Sequence, residues 1–164
     1  MEYGPRALGA RSILANPADP EINQKLNLRL KRSEFMPFAP VIAEDDAAEV
    51  FDIGSCNRYA AHFMTISCEV RREWHQRIPG VVHVDGSARP QIIARADNPC
   101  YFDVLAAFKA RTGLPALVNT SLNVHEEPIV NRPEECLKTL EEGRVDFVVT
   151  PTAVWTRRAP DLNV

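Results

Sequence analysis

Residues 114–123 read LPALVNTSLN, an apolar run that passes directly into a polar one. The apolar part predicts a buried strand. Hydroxyl and amide groups at the end of such a strand can bind phosphates, a ribose or a carbamoyl amide without adding charge, although the same residue types also suit a turn. The candidate ligand-binding residues of this segment are Asn119, Thr120, Ser121 and Asn123.

Short periodic segments on both sides of this strand predict an α/β fold. Strands are predicted over 11–15, 38–43, 62–70, 81–85, 146–150 and 152–156. Helices are predicted over 21–31, 44–51 and 103–111, with a further helix capped at Asn131 and ending near Gly143. Because strands and helices alternate irregularly, we expect an open twisted sheet of mixed direction packed with helices.

The composition is that of one globular domain. The chain has 164 residues, 45% hydrophobic and 25% charged residues, and a formal net charge of −3. No apolar run approaches the roughly 20 residues of a membrane helix, and the four cysteines form no C-x-x-C pair. We therefore expect a cytoplasmic protein without a membrane span, with reduced thiols and no metal-ligand cluster, and consider nucleic-acid binding unlikely.

The segment YGPRALGAR, residues 3–11, places Arg6 and Arg11 in a backbone shaped by glycine and proline. Guanidinium groups bind phosphate oxygens in pairs and keep their charge at neutral pH, so this loop suits a polyanion. A surface turn with two solvated arginines is the alternative.

The segment NLRLKRSEFMPFAP, residues 27–40, contains a basic cluster of Arg29, Lys31 and Arg32. The cluster falls at the predicted end of a helix, where the helix dipole alone favours cations. Phosphate binding is the preferred interpretation only if these side chains converge with Arg6 and Arg11.

The segment HVDGSARPQ, residues 83–91, predicts a strand that ends in a glycine turn and then presents Arg89. His83 and Asp85 would share one face of that strand and could position a ligand, although a histidine beside a carboxylate is also a common structural pair. His83, Asp85, Arg89 and Arg32 are the candidate catalytic residues.

These motifs together resemble the C-terminal domain of the carbamoyltransferase family that includes nodulation-factor, cephamycin and tobramycin carbamoyltransferases. The resemblance rests on EYGPRALGARSILANP, LKRSEFMPFAPVI, HVDGSARPQ and TGLPALVNTSLNVHEEPIV, in this order over residues 2–130. It implies a single YrdC-like domain over residues 1–164 that takes carbamoyl phosphate and ATP to carbamoyl-adenylate. An N-terminal ASKHA-fold domain of the same polypeptide, which is not within these residues, would then transfer the carbamoyl group to an acceptor hydroxyl.

The resemblance also implies residue roles. Tyr3, the basic cluster and the Asn119–Asn123 segment are similar to the nucleotide-binding elements of YrdC proteins, and spacing leaves open which basic residue has which role. We expect the arginines to bind the phosphates of both substrates, with Mg²⁺ bridging the triphosphate. Two alternatives remain open: a noncatalytic domain that binds nucleotide and stabilises a partner, and a transfer RNA-modifying or RNA-binding YrdC relative.

Overall fold

A four-stranded mixed sheet forms the centre of the protein in the computed structural model, which describes residues 9–32 and 37–157. The strands are β1 (Ser12–Ala15), β2 (Ala39–Ala43), β3 (Cys68–Glu69), β4 (Ser87–Ala88), β5 (Gln91–Ile93), β6 (Ala116–Ser121), β7 (Phe147–Val149) and β8 (Val154–Thr156). The helices are α1 (Ile22–Arg29), α2 (Glu44–Val50), α3 (Arg58–Ala61), α4 (Arg72–His75), α5 (Pro99–Thr112) and α6 (Pro133–Glu141). The predicted α/β class with a mixed sheet is confirmed.

The strand order is β1-β6-β2-β5, in which β6 runs antiparallel to both neighbours and β2 runs parallel to β5. In the register, Ser12 lies opposite Ser121, Ala39 opposite Asn119, and Val41 opposite Gln91. The beginnings of β1 and β2 therefore lie beside the end of β6, and β5 begins on the other side of β2, opposite Val41. We call this the motif end of the sheet, marked by Ser12, Ala39, Gln91 and Ser121.

The two faces of the sheet pack against different layers because side chains alternate along each strand. Ile42 belongs to the larger core, which includes residues of α1 and α2, whereas Val41 packs with Leu105 on α5 in a second core. All five residues of β2 are buried, which fits its position inside the sheet.

Helix α5 begins at Pro99, earlier than the predicted start at residue 103. Asn98 caps the helix, with its Oδ1 accepting a hydrogen bond from the Tyr101 amide at 3.1 Å, and Pro99 occupies the first turn. Both are favourable signals for a helix start. The helix ends at Gly113, whose φ of 72° is in the left-handed region.

Two strand predictions are wrong. Residues 62–70 contain only the short strand β3, and residues 62–67 form turns that follow α3. Val81 is the last residue of a 3-10 turn, and residues 82–85 lead into a tight turn in which the Gly86 amide donates to the His83 carbonyl at 3.0 Å. Val84 is consequently exposed instead of sharing a buried side with Val82.

The C-terminal strands β7 and β8 pair with each other in a hairpin outside the main sheet, so the two strands predicted there are confirmed. Helix α6 precedes them. The Glu135 carboxylate accepts hydrogen bonds from the amides of Asn131 at 2.7 Å and Arg132 at 3.2 Å, so the helix is capped at Arg132, one residue later than predicted.

Candidate functional site

The motif end collects the four sequence motifs. The segment containing Arg11 precedes β1, the basic cluster precedes β2, the HVDGSAR segment precedes β5, and the polar segment 119–123 closes β6. Because β6 is antiparallel to β1 and β2, its end lies beside their beginnings. Segments that are widely separated along the chain are thereby brought to one place. Tyr3 and Arg6 lie outside the described residues.

Arg32 connects the second motif to the fourth. Its Nη2 donates to Thr120 Oγ1 at 3.2 Å, and its guanidinium carbon lies 5.0 Å from the centroid of the Phe38 ring. The side chain is half-buried, and burial lowers its pKa from the ordinary value for arginine. It remains a cation at neutral pH because that ordinary value is far above 7.

Arg11 connects the first motif to the fourth. Its Nη1 donates to the Val130 carbonyl at 3.0 Å, and its own carbonyl accepts from the Leu122 amide at 2.8 Å. The Val130 amide in turn donates to the Leu122 carbonyl at 3.1 Å. These bonds fix the strand that follows Arg11 against the loop that follows β6.

The other two members of the basic cluster point elsewhere. Arg29 forms an ion pair with Asp146, Nη1 to Oδ2 at 2.8 Å, beside the C-terminal hairpin. Lys31 is exposed and has a φ of 54°. Of the three basic residues, Arg32 is the one that contacts the Asn119–Asn123 segment. A surface depression of about 410 Å³ also lies at the hairpin, lined by Asp146, Phe147, Thr156 and Arg157.

The polar segment 119–123 closes β6, and its residues differ in what their side chains do. Ser121 Oγ donates to Asn123 Oδ1, and Asn123 Nδ2 donates to the carbonyls of Val124 at 2.9 Å and Glu127 at 3.0 Å. Asn123 therefore holds the turn together, as the turn interpretation of this segment predicts. Thr120 and Ser121 remain half-buried at the end of the strand.

Asn119 has a partner that sequence analysis missed. Its Nδ2 donates to Gln91 Oε1 at 2.5 Å, and both side chains are buried. The available signal was a glutamine at the start of an otherwise apolar strand, Gln91–Ile93, directly after the HVDGSARP segment. A polar side chain in such a position is informative because buried amides need partners.

His83 and Asp85 are linked through Ser87. Asp85 Oδ1 accepts from the Ser87 amide at 2.9 Å and from Ser87 Oγ at 2.7 Å, and His83 Nδ1 lies 3.0 Å from the same hydroxyl. Because the hydroxyl proton is directed at Asp85, the contact with His83 requires a proton on Nδ1. In the neutral ring Nε2 then has the lone pair and is a proton acceptor.

The charges around His83 act in opposite directions. Burial lowers the pKa of His83, the Asp85 carboxylate raises it, and the Arg89 guanidinium lowers it further. Hydrogen bonds from Ser87 lower the pKa of Asp85, so that carboxyl group is ionised at neutral pH. Arg89 is half-buried, and the described residues offer it no hydrogen bond or ion pair.

We expect opposite shifts of the His83 pKa in two variants. Asp85→Asn removes the anion that stabilises the imidazolium and lowers this pKa, and Arg89→Met removes the neighbouring cation and raises it. An NMR titration of the ring protons measures both shifts. Because the folded pKa of His83 is already below its ordinary 6.5, the unfolded chain binds this proton more tightly, so stability falls as the pH drops through about 6.5. Asp85→Asn enlarges that loss.

Asp103→Asn is the matched control for this titration. Asp103 is an exposed residue of α5, and its Oδ1 lies 2.7 Å from Nη1 of Arg95. Neutralising this carboxylate is therefore expected to leave the His83 pKa unchanged. Shifts of Asp85→Asn and Arg89→Met in the same direction would contradict the described arrangement.

Residues 9–32 and 37–157 contain neither a cluster of metal ligands nor a helix that could span a membrane. No group of three or more histidine, cysteine, aspartate or glutamate side chains there could hold a metal ion. The four cysteines are free. No described helix is both long and apolar enough to cross a membrane.

The fold and the motif end define a mixed α/β domain in which Arg32 contacts the polar end of β6 and Arg11 contacts the loop that follows it. The chain belongs to the family described as carbamoyltransferase C-terminus, whose model matches residues 1–157. The predicted family resemblance is therefore confirmed.

Curated relatives agree with this assignment. The chain is 42% identical over 160 residues to nodulation protein NolO of Bradyrhizobium diazoefficiens, an alignment that covers 96% of this chain and 29% of that protein. It is 38% identical over 156 residues to nodulation protein U of Rhizobium tropici, covering 95% of this chain and 26% of that protein. It is 39% identical over 158 residues to nodulation protein NolNO of Sinorhizobium fredii, covering 96% and 23%. The chain thus spans about a quarter of the length of these relatives.

Proposed function

We propose that this domain binds carbamoyl phosphate and ATP at the motif end and forms carbamoyl-adenylate. A separate N-terminal ASKHA-like domain of the same polypeptide would then transfer the carbamoyl group to an acceptor hydroxyl. One observation supports the proposal above all others. The strand register brings the beginnings of β1 and β2 beside the polar end of β6, and the hydrogen bond between Asn119 and Gln91 links the beginning of β5 to the same strand. Membership of the carbamoyltransferase family is consistent with this substrate class.

Charge is the main requirement of the proposed reaction. Carbamoyl phosphate, ATP and one water become carbamoyl-adenylate, phosphate and pyrophosphate, with carbamate attacking the α-phosphorus and pyrophosphate leaving. Both substrates are polyanions, so their approach is opposed by repulsion. Arg11, Arg32 and Arg89 supply fixed positive charge at one end of the sheet, where positioning and charge stabilisation can lower the barrier. Mg²⁺ would enter the site bound to the phosphate oxygens of ATP.

Protons also have to be moved, because opening carbamoyl phosphate with water releases one. His83 is suited to accept it at Nε2, since Ser87 and Asp85 hold the proton on Nδ1. The lowered pKa of His83 keeps the ring neutral near pH 7 and therefore available as a base. Arg89, whose charge acts on the same imidazole, would bind phosphate oxygens beside it.

Pyrophosphate release tests the proposal directly. Incubation of the 164-residue chain with Mg²⁺, ATP and carbamoyl phosphate is expected to release pyrophosphate and form carbamoyl-adenylate, whereas omission of carbamoyl phosphate stops both. Ser121→Ala removes one neutral hydrogen-bonding group and is expected to weaken substrate binding by up to about tenfold. Asn131→Ala, at an exposed position outside the motif end, serves as its control.

Other outcomes decide between the alternatives. ATP binding without pyrophosphate under either condition would favour a noncatalytic domain that stabilises its partner. A chain that binds neither ATP nor carbamoyl phosphate would overturn the proposal.

A further inference from the structure

We infer that Gln91 and Asn119 form a carboxamide-binding subsite that recognises the carbamoyl group. This inference rests on the proposed function and specifies which part of the substrate lies where. It depends on the buried hydrogen bond between the two side chains and on the two amide atoms that this bond leaves without a partner.

The two amides meet above β2. Asn119 lies opposite Ala39 and Gln91 lies opposite Val41, so their hydrogen bond passes over a strand that separates β6 from β5. Alternation puts Ala39 and Val41 on the same face, which is the face covered by α5. The small side chain of Ala39 leaves room for the bridge.

Each amide retains one buried polar atom without a partner. Gln91 and Asn119 are 0% and 3% exposed, and neither Gln91 Nε2 nor Asn119 Oδ1 has a hydrogen-bond partner within the described part of the chain. Reversing the oxygen and nitrogen of both amides gives the same result with the roles exchanged, because one bond between two amides always uses one donor group and one acceptor. Buried polar groups in folded proteins are normally paired with protein or water, so this adjacent donor and acceptor are available to bind a ligand.

A carbamoyl group has the complementary chemistry. Its carbonyl oxygen accepts a hydrogen bond and its NH₂ group donates one, which matches a neighbouring donor and acceptor. A phosphate dianion has no hydrogen to give to the free oxygen, so the pair discriminates against the charged half of the substrate. Because the pair is buried, a ligand that cannot make both bonds would leave a desolvated atom unpaired, which is a strong basis for selectivity.

The position of the subsite agrees with the placement of charge. Asn119 directly precedes Thr120, which contacts Arg32, and Gln91 follows Arg89 by two residues. The carbamoyl end of carbamoyl phosphate would lie on the pair while its phosphate lies toward the guanidinium groups. Tyr101 packs on the same face, and burial raises the pKa of its phenol, so it stays uncharged.

Binding of carbamoyl phosphate and acetyl phosphate, measured by calorimetry at constant ionic strength, tests this inference. Acetyl phosphate retains the carbonyl and phosphate but has a methyl group in place of NH₂. The wild-type chain is expected to prefer carbamoyl phosphate by about tenfold or more. The double variant Gln91→Met/Asn119→Leu, which removes both amides together, is expected to bind the two compounds equally.

Asn27→Leu is the matched control. Asn27 is another buried amide whose two polar atoms have no partner within the described residues, but it lies on α1, whose Leu26 belongs to the larger core. Its replacement is expected to leave the preference unchanged.

The outcomes separate this inference from the proposed function. If the wild-type chain binds both compounds equally, the inference is overturned. It is also overturned if the double variant still prefers carbamoyl phosphate. Neither result would affect pyrophosphate release, which tests the proposed function. A wild-type chain that binds neither compound overturns the proposed function and the inference together.

Discussion

Methionine in place of Arg89 is expected to weaken the binding of ATP and carbamoyl phosphate by roughly ten- to hundredfold, the usual loss for one charge-assisted contact. The same change is expected to leave the unfolding free energy of the unliganded domain unchanged or to raise it slightly. The reason is that Arg89 is half-buried without a hydrogen bond or ion pair to the described residues. The cost of desolvating its guanidinium group is not offset by a hydrogen bond or ion pair to the described residues. Methionine keeps much of the side-chain volume and removes that cost.

Arg32→Met provides the contrast. Arg32 donates to Thr120 and lies over the Phe38 ring, so its loss removes a hydrogen bond and a cation–π contact. We expect this variant to lose affinity as well, but also to lose about 1–2 kcal/mol of unfolding free energy. Urea unfolding of both variants, together with ligand titrations at fixed ionic strength, measures the difference. An Arg89→Met domain destabilised as much as Arg32→Met would contradict the assignment of Arg89 to ligand binding.

The parts of the fold that the sequence predicts well are those where apolar periodicity and burial coincide. The strand at 38–43 and the helix at 44–51 are found as β2 and α2, and Val50 of α2 is fully buried. The strand predicted over 62–70 is wrong because its buried residue Met64 lies in a turn after α3 and not in a strand. At 81–85, the Asp85-Gly86 turn chemistry outweighed the alternation of valines, since Gly86 has a φ of 84°.

The candidate site was predictable only in its components. Guanidinium and polar side chains can be recognised from their chemistry, but their convergence depends on strand register, which the motifs themselves do not encode. The basic cluster illustrates this limit, because residues three apart on the chain, Arg29 and Arg32, contact Asp146 and Thr120 respectively. Gln91 was missed for the same reason: its significance depends on Asn119, which is distant in sequence.

Gly9→Ala is expected to be the most damaging small substitution at the motif end. A Cβ atom at this position would lie 2.3 Å from Cδ1 of Tyr101, far inside van der Waals contact, and the φ of Gly9 is 87°. Left-handed backbone costs a residue with a side chain roughly 1–2 kcal/mol, and overpacking typically costs about 1–3 kcal/mol more. We therefore expect a loss of roughly 2–5 kcal/mol of unfolding free energy. Gly54→Ala, where a Cβ meets nothing within 4 Å, is the control and should change stability by less than about 0.5 kcal/mol.

A double-mutant cycle separates the two causes of this loss. The Tyr101 ring cannot move away easily, because it is 5% exposed and its backbone amide is held by the Asn98 cap of α5. In a Tyr101→Ala background the clash is gone and only the backbone cost remains, so Gly9→Ala should then cost about 1–2 kcal/mol. Urea unfolding of the four proteins gives the coupling energy. A cost of Gly9→Ala that is the same with and without the tyrosine ring would show that the glycine is required by its backbone conformation alone, and that α5 does not fix the loop that leads into β1.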